Sequence, residues 1–416
     1  MHIQAQIKGH KMDQNNYLSS VSERFCKKVF FNLLNGITHG RIQVTDQESS
    51  YSFGQEQEKN DLIAAININN SSAYRAILMG GSIGAGKSYI DGDWDTDDLQ
   101  KLITLFIKND SLFNNIESPI ARLSSLIRTI NYKLKINSIH RAKENILAHY
   151  DLGNEFFKLI LDPSMMYSCA LYKPSNISLE EASMKKIQAI CNALQLKSGD
   201  HILEIGTGWG GFACYAAQEY GCKVTTTTIS EKQYHYVKEK ISQLGLNNQI
   251  ELLKEDYRKL AGQYDKVVSI EMIEAVGHKY FDTFFQQCNQ LLKPDGLFFL
   301  QAIVINDQAY EAAKNEVDFI KKYIFPGGCL PSVFSINKSI ASKTTMQLMS
   351  FEDIGQHYVS TLKDWHKKLL ANKQEILAQG FSESFIRMWE FYFFYCAAGF
   401  QTNYISDIHA LWRKRR

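Results

Sequence analysis

Two textures of apolar and polar residues divide the chain. Residues up to about Asn16 are polar and expected to fray, and Val21 to about Asn109 reads as a small mixed segment with a glycine-rich stretch at Gly80–Gly86. Between Arg122 and Lys143, Leu123, Leu126, Ile127, Ile130 and Leu134 recur at i, i+3, i+4 spacing, with Arg128, Lys133 and Lys135 between them. That period predicts a basic amphipathic helix, open to core packing or to docking on a membrane. From about His149 short apolar runs alternate with helical periodicity. His201–Ile205, Cys222–Thr227, Lys266–Ile270 and Leu297–Ile305 read as buried strands; Phe212–Tyr220, Glu231–Leu244 and Tyr280–Leu292 read as helices between them. Strands separated by helices predict a doubly wound parallel α/β sheet with its ligand site at the strands' carboxyl ends.

Composition adds bounds. A chain of 416 residues, 45% apolar and 22% charged, is long enough for two packed domains and unlike a disordered one. The net charge of +2 says little about partners, but its distribution says more. Positive charge gathers in Arg122–Lys143 and in the terminal Arg413-Lys414-Arg415-Arg416, to be read as solvated surface or as attraction to anionic lipid. No nucleic-acid partner is expected. The eight cysteines stand singly, with no C-x-x-C pair and no secretory leader, which argues for a reducing cytosol and against a disulfide framework or a metal site. The longest apolar run, Leu297–Ile305 with Gln301 inside it, is too short to span a bilayer.

Two glycine loops suggest chemistry. Gly81-Ser-Ile-Gly-Ala-Gly86-Lys87-Ser88 matches the phosphate-cradling G-x-x-x-x-G-K-[ST] pattern, which requires a strand before it and a helix after it. Ala76–Met79 offers a short candidate strand, but Gly92 and the acids Asp91, Asp93 and Asp95 follow within about one turn and would repel phosphate. A connecting turn of the amino-terminal segment is the expectation. The second loop, Glu204-Ile-Gly206-Thr-Gly208-Trp-Gly210-Gly211, directly follows a strand and precedes a helix. Glycines there let a cofactor approach the backbone. Glu204 is placed to meet the cationic end of a methionine, and Asp256 to meet an adenine amino group, which favours S-adenosylmethionine over a dinucleotide. No carboxylate follows Thr227-Thr228-Ile229-Ser230 for ribose hydroxyls; hydroxyl side chains and Gln233 would serve.

From about Ala148 onward the residues resemble the cyclopropane-fatty-acyl-phospholipid synthases and the related mycolic acid cyclopropane synthases. Five stretches carry the resemblance: His149–Phe157, Leu161–Ala170, Glu204–Gly211, Glu271–His278 and Tyr323–Val333. Gly92-Asp93-Trp94 resembles a patch in the smaller amino-terminal domain of the bacterial phospholipid enzymes. The resemblance implies a Rossmann-like class I methyltransferase domain over 148–416 with a lipid-capping insertion near Asp307–Ser350, a basic helical linker over 116–147, and a small mixed lipid- or dimer-associated domain over 1–115.

It also implies the reaction. The methyl of S-adenosylmethionine goes to a cis double bond of a phospholipid acyl chain, the resulting cation loses a proton to bound bicarbonate, and the ring closes. Such an enzyme would be cytoplasmic, peripheral to the inner face of the membrane, and could form a homodimer. Carried over by position, Cys169, Glu274, Tyr358 and the backbone of Ile303 correspond to the bicarbonate site. Cys396 corresponds to a cysteine for which activity or mere packing are both readings. Tyr167, Ser168, Gly206, Gly208, Gly210, Thr228, Gln233, Asp256 and Tyr257 correspond to cofactor contacts. Aromatic faces such as Tyr167, Tyr257 and Tyr323 steady positive charge without competing as nucleophiles.

One position departs. Where the family has His in a Leu-His-Thr-Ile context, this chain reads Leu300-Gln301-Ala302-Ile303. An amide cannot accept a proton as imidazole does, though it can hydrogen-bond an anion. Gln301 therefore leaves open a methylene- or methyl-branched product in place of the ring. A small-molecule N- or O-methyltransferase is the further alternative.

Overall fold

The computed structural model describes residues 21–47, 49–55, 62–110, 112 and 152–416. The basic helix expected within Arg122–Lys143, the polar start of the chain and His149 lie outside the described residues.

The amino-terminal part opens with α1 (Val21–Leu34), followed by β1 (Gly40–Asp46), β2 (Ser49–Gln55), β3 (Ile63–Ile68), α2 (Ser72–Ile90), β4 (Trp94–Asp95) and α3 (Leu99–Lys108). The four strands form one mixed sheet in the order β2-β1-β3-β4. The glycine-rich stretch is corrected here: Gly80–Ser88 is not a connecting turn but lies inside α2, as does Ala76–Met79, with a kink at Gly81. Close packing explains two of these glycines, Gly84 and Gly86. A Cβ on Gly86 would come within 2.3 Å of the Phe319 ring, and one on Gly84 within 1.9 Å of the Ala76 carbonyl oxygen. Lys87 pairs with Asp91 one turn on, so its ammonium is already engaged.

The carboxy-terminal part continues with α4 (Asn154–Ile160), α5 (Leu179–Ala193), β5 (His201–Ile205), α6 (Gly211–Tyr220), β6 (Lys223–Thr227), α7 (Glu231–Gln243), β7 (Ile250–Leu253) and β8 (Tyr264–Ile270). Then come α8 (Phe281–Leu291), β9 (Leu292–Ile305), α9 (Asp307–Ala313), α10 (Val333–Lys343), β10 (Met346–Asp353), α11 (Gly355–Ala371), α12 (Lys373–Ala378), α13 (Glu383–Gln401) and β11 (Ile405–Lys414). Seven strands make the main sheet, ordered β10-β11-β9-β8-β5-β6-β7. The run from β9 through β7 is parallel, and β11 and β10 add antiparallel. The doubly wound α/β expectation holds, with β7 and the antiparallel edge as additions.

Chain order explains where a ligand belongs. The sequence runs outward from β5 through β6 to β7, then crosses back to β8 on the other side of β5. The β5–β8 seam is therefore the switch point of the sheet, and the crevice beyond its carboxyl ends is the natural binding site. The helix α13 ties the two parts together. Its Arg387 donates to the Tyr89 and Trp94 carbonyls and to Asp95, and lies 4.0 Å from the Tyr89 ring centroid. Two of the four terminal basic residues are also tied down: Lys414 donates to the Asn289 and Leu292 carbonyls, and Arg416 to Asp295. All eight cysteines are free. Among the described residues, no helix is long and apolar enough to cross a membrane.

Candidate active site

The glycine loop leaves β5 at the seam. Gly206, Gly208 and Gly210 have φ of 97°, 52° and 76°, a region that side chains disfavour. Gly206 also passes close to Met272, the second residue after β8: its missing Cβ would lie 3.0 Å from Met272 Cγ. Thr207 Oγ1 and Tyr257 OH are buried without a hydrogen-bond partner among the described residues. Such atoms are costly unless something satisfies them, and a polar cofactor lying over the loop would do so. These features fit S-adenosylmethionine.

The neighbouring cofactor candidates are placed as follows. Glu204 turns into the sheet and accepts from Thr226 Oγ1 at 2.6 Å; burial pushes its carboxyl up to about 8. Thr228 donates to Gln233 Oε1 at 2.9 Å, just past the end of β6. Asp256 is committed to Arg258, accepting from its Nε at 2.8 Å and its Nη2 at 2.6 Å. Burial acts to raise Asp256, but those bonds prevail and hold it below the usual carboxylate range. Tyr257 packs edge-on against Phe284. Tyr167 and Tyr392 bring their hydroxyls to 3.0 Å, and the Tyr167 ring lies 5.0 Å from Trp365. Ser168 accepts from Lys186, a fully buried ammonium, at 2.6 Å.

A second cluster gathers beside that loop, around Glu271, the first residue after β8. Its Oε1 accepts from the Cys169 backbone N–H at 2.7 Å and from Gln301 Nε2 at 2.8 Å; its Oε2 accepts from Tyr358 OH at 2.6 Å. Gln301 also donates to Asp407 Oδ2 at 2.8 Å, and its Oε1 lies 3.2 Å from His409 Nε2. An amide oxygen can only accept, so His409 is the donor there. That fixes which way the Gln301 amide points. Glu274 is anchored separately, its Oε1 accepting from the Ile303 N–H at 2.6 Å, while its Oε2 is buried without a partner among the described residues. Four of the expected catalytic residues thus meet on one carboxylate pair or its neighbour. Cys396 does not join them; burial and the charge of Asp318 raise its thiol. Cys169 contributes a backbone donor, since burial drives its thiol well above the ordinary range.

Electrostatics follow from burial. Burial raises Glu271, while the Tyr358 and Cys169 hydrogen bonds and the Lys186 charge oppose the rise. Asp407 is raised well above its ordinary range, by burial and then by the Glu271 charge, and the three donors facing Glu271 favour its ionised form. Burial lifts Glu274 to about 8, and lowers His409 to about 3, which keeps that imidazole neutral.

Sequence reasoning did not select Glu271, Asp407, Lys186 or His409. Glu271 carried a signal, an acid at the carboxyl end of a strand three residues before Glu274. The other three become visible only through packing, as when β9 and β11 pair Gln301 with His409.

A glycine loop at the switch point of a seven-stranded, mostly parallel sheet defines a class I S-adenosylmethionine-dependent methyltransferase. The sequence profile of the mycolic acid cyclopropane synthetase family matches residues 137–410, and the chain belongs to that family. It is 37% identical to the cyclopropane-fatty-acyl-phospholipid synthase of Escherichia coli strain K12, over 82% of this chain and 86% of that one. It is 33% identical to the tuberculostearic acid methyltransferase of Mycobacterium tuberculosis, over 80% of this chain and 79% of that one. Among solved structures, the mycolic acid cyclopropane synthase CmaA1 complexed with S-adenosylhomocysteine and CTAB matches with a TM-score of 0.61 and 29% identity, covering 65% of this chain and 98% of that one.

Bicarbonate fits this site poorly. The groups that would hold a small anion, the Cys169 N–H, the Gln301 amide and the Tyr358 hydroxyl, already bind the Glu271 carboxylate.

Proposed function

We propose that the protein transfers the methyl group of S-adenosylmethionine to a cis double bond of a phospholipid acyl chain and closes a cyclopropane ring. The observation that carries this reading is the convergence of Cys169, Gln301, Tyr358 and two carboxylates beside the glycine loop. A neutral alkene offers no hydrogen-bonding handle, and the cation formed from it needs nearby negative charge, aromatic faces and little water. Tyr358 stacks on Phe400 at 4.5 Å and meets Trp365 edge-on, while Tyr167 faces Phe325 and Trp365. Bound S-adenosylmethionine would supply an electrophilic methyl on sulfur. The loop at Gly206, Gly208 and Gly210, with Thr207, Thr228, Gln233 and Tyr257, would hold it.

The acyl chain would be reached from a membrane surface, with the enzyme at the cytoplasmic face. Exposed Phe334, Leu348, Met349 and Phe351, on α10 and the edge strand β10, support contact with lipid there. The curated relatives named above support acyl substrates, and the tuberculostearic acid methyltransferase supports the second reading, a methylene or methyl branch, to which Gln301 also points.

Purified protein would be incubated with S-adenosylmethionine and vesicles of cis-unsaturated phospholipid, and the fatty acids analysed by mass spectrometry and proton NMR. The expected result is a gain of one CH2 with upfield ring protons. Vinylic methylene protons at the same mass would assign the branching reaction. No mass gain with the cofactor bound would overturn the acyl-chain reading.

A further inference from the structure

We infer that Glu271 is the built-in proton acceptor of the reaction, filling the anion site with a side chain so that the enzyme works without bicarbonate. The inference rests on the acyl-chain reading above. Three donors that converge from three separate elements, Cys169 N–H, Gln301 Nε2 and Tyr358 OH, are the arrangement that would grip a small planar oxyanion. They grip a carboxylate of this chain instead. A carboxylate and a bicarbonate present the same pair of oxygens, so both suit the same donors.

The backbone shows that the placement is held against a local preference. Glu271 has φ of 46°, in the left-handed region where side chains are disfavoured and glycine is at ease. Its neighbours make the placement specific. Gln301 spans Glu271 and Asp407 with its two amide hydrogens, and the neutral His409 holds the amide oxygen so that the NH2 faces the acids. Gln301 is thus a positioning residue, which accounts for an amide at a position where the family has imidazole. Asp407, raised well above its ordinary range, lies next to Glu271, and the Lys186 charge opposes the rise that burial imposes on Glu271.

The chemistry balances. The alkene π pair bonds to the transferred methyl carbon as the sulfur–methyl bond breaks and leaves its electrons on sulfur, so the second alkene carbon becomes cationic. A C–H bond of the added methyl then breaks. Its electron pair closes the ring onto the cationic carbon, and its proton passes to Glu271 Oε2. That oxygen accepts the Tyr358 hydroxyl with one lone pair, and its second lone pair can take the proton. Glu271 becomes a neutral acid and returns the proton to water between turnovers.

The test compares wild-type protein, Glu271→Gly and Glu271→Gln in buffer depleted of carbon dioxide, with and without added sodium bicarbonate. Product is read by mass, and anion binding by NMR line broadening of 13C-labelled bicarbonate. Wild type should turn over equally in both buffers and leave the bicarbonate line sharp. Glu271→Gly, which suits the left-handed backbone, should lose at least 100-fold in depleted buffer, broaden the 13C line, and recover much of its rate with bicarbonate. Glu271→Gln should be slow in both, because its NH2 would face donors. Wild-type activity that falls without bicarbonate and returns with it would overturn the inference, as would full activity of either variant in depleted buffer. Should Glu271→Gly fail to fold, the wild-type and Glu271→Gln comparisons still decide. Absence of product from wild type in both buffers would sink the acyl-chain reading instead, leaving 13C binding to judge the anion site.

Discussion

Glu274 lies three positions after Glu271, and a short 3-10 turn over Ile273–Ala275 sends their carboxylates to different partners. Glu271 is surrounded by side-chain and backbone donors, while Glu274 Oε1 accepts from the Ile303 N–H and its Oε2 has no partner among the described residues. Glu274→Gln keeps a carbonyl oxygen for that N–H but removes an ionisable carboxyl from the cluster. Turnover should fall by roughly tenfold to a hundredfold, in the lower range for an ionisable group near a proton transfer. The dissociation constant for S-adenosylmethionine, measured by calorimetry, should change less than about twofold. At this scale the sequence was legible where a residue sits in a motif, as Cys169, Glu274 and Tyr358 do. It was not legible where a residue acts through a partner far along the chain. Gln301 could be recognised as a departure, but its meaning depends on Asp407 and His409, which reach it only when β11 pairs with β9.

Among the elements, the same distinction separates the two glycine-rich stretches. Both carry suggestive spacing, yet one follows a strand at the switch point and the other lies within a helix packed on Phe319 and Phe391. Strand-to-helix context was readable for Gly206–Gly210 because the flanking periodicities are strong. It misled at Gly80–Ser88, since tertiary packing holds a glycine-rich sequence helical against its propensity. The short strand Ile250–Leu253 also escaped notice, being four residues without alternation. Two substitutions separate packing from phosphate binding at α2. Lys87→Ala should leave methyl transfer and thermal stability nearly unchanged, because Lys87 only pairs with Asp91 at the surface. Gly86→Ala should destabilise by about 1–3 kcal/mol in denaturant titration, as overpacking against Phe319 does. At the other loop, Gly206→Ala adds a Cβ at φ 97° against Met272. It should weaken S-adenosylmethionine binding by on the order of tenfold, about 1.4 kcal/mol, in the same calorimetric assay.

Across the whole molecule, the site is a set of ionisable groups held in the interior, and that has a cost written into the pH dependence of folding. Burial lifts both Glu204 and Glu274 to about 8, whereas in the unfolded chain each titrates near its ordinary value, roughly 4.3. Between those values the native state holds a proton that the unfolded state has released, so raising the pH favours unfolding. Their contribution is complete in acid and lost as pH climbs toward 8. His409 works in the opposite sense: lowered to about 3, it stays neutral while the unfolded imidazole gains a proton below roughly 6.5, so stability falls as pH drops through that range. The two effects oppose one another between about pH 4.5 and 6.5, which leaves pH 6.5 to 8 as the clean window. There the wild-type unfolding free energy, from urea titrations at fixed ionic strength, should decline faster with pH than that of Glu274→Gln. The difference in slope should approach, and not exceed, about 1.4 kcal/mol per pH unit, the value for one proton. Parallel slopes would mean that Glu274 is already ionised in the native protein. Its bare Oε2 would then carry a permanent charge, and the site would hold two anions, Glu271 and Glu274, facing a developing cation instead of one.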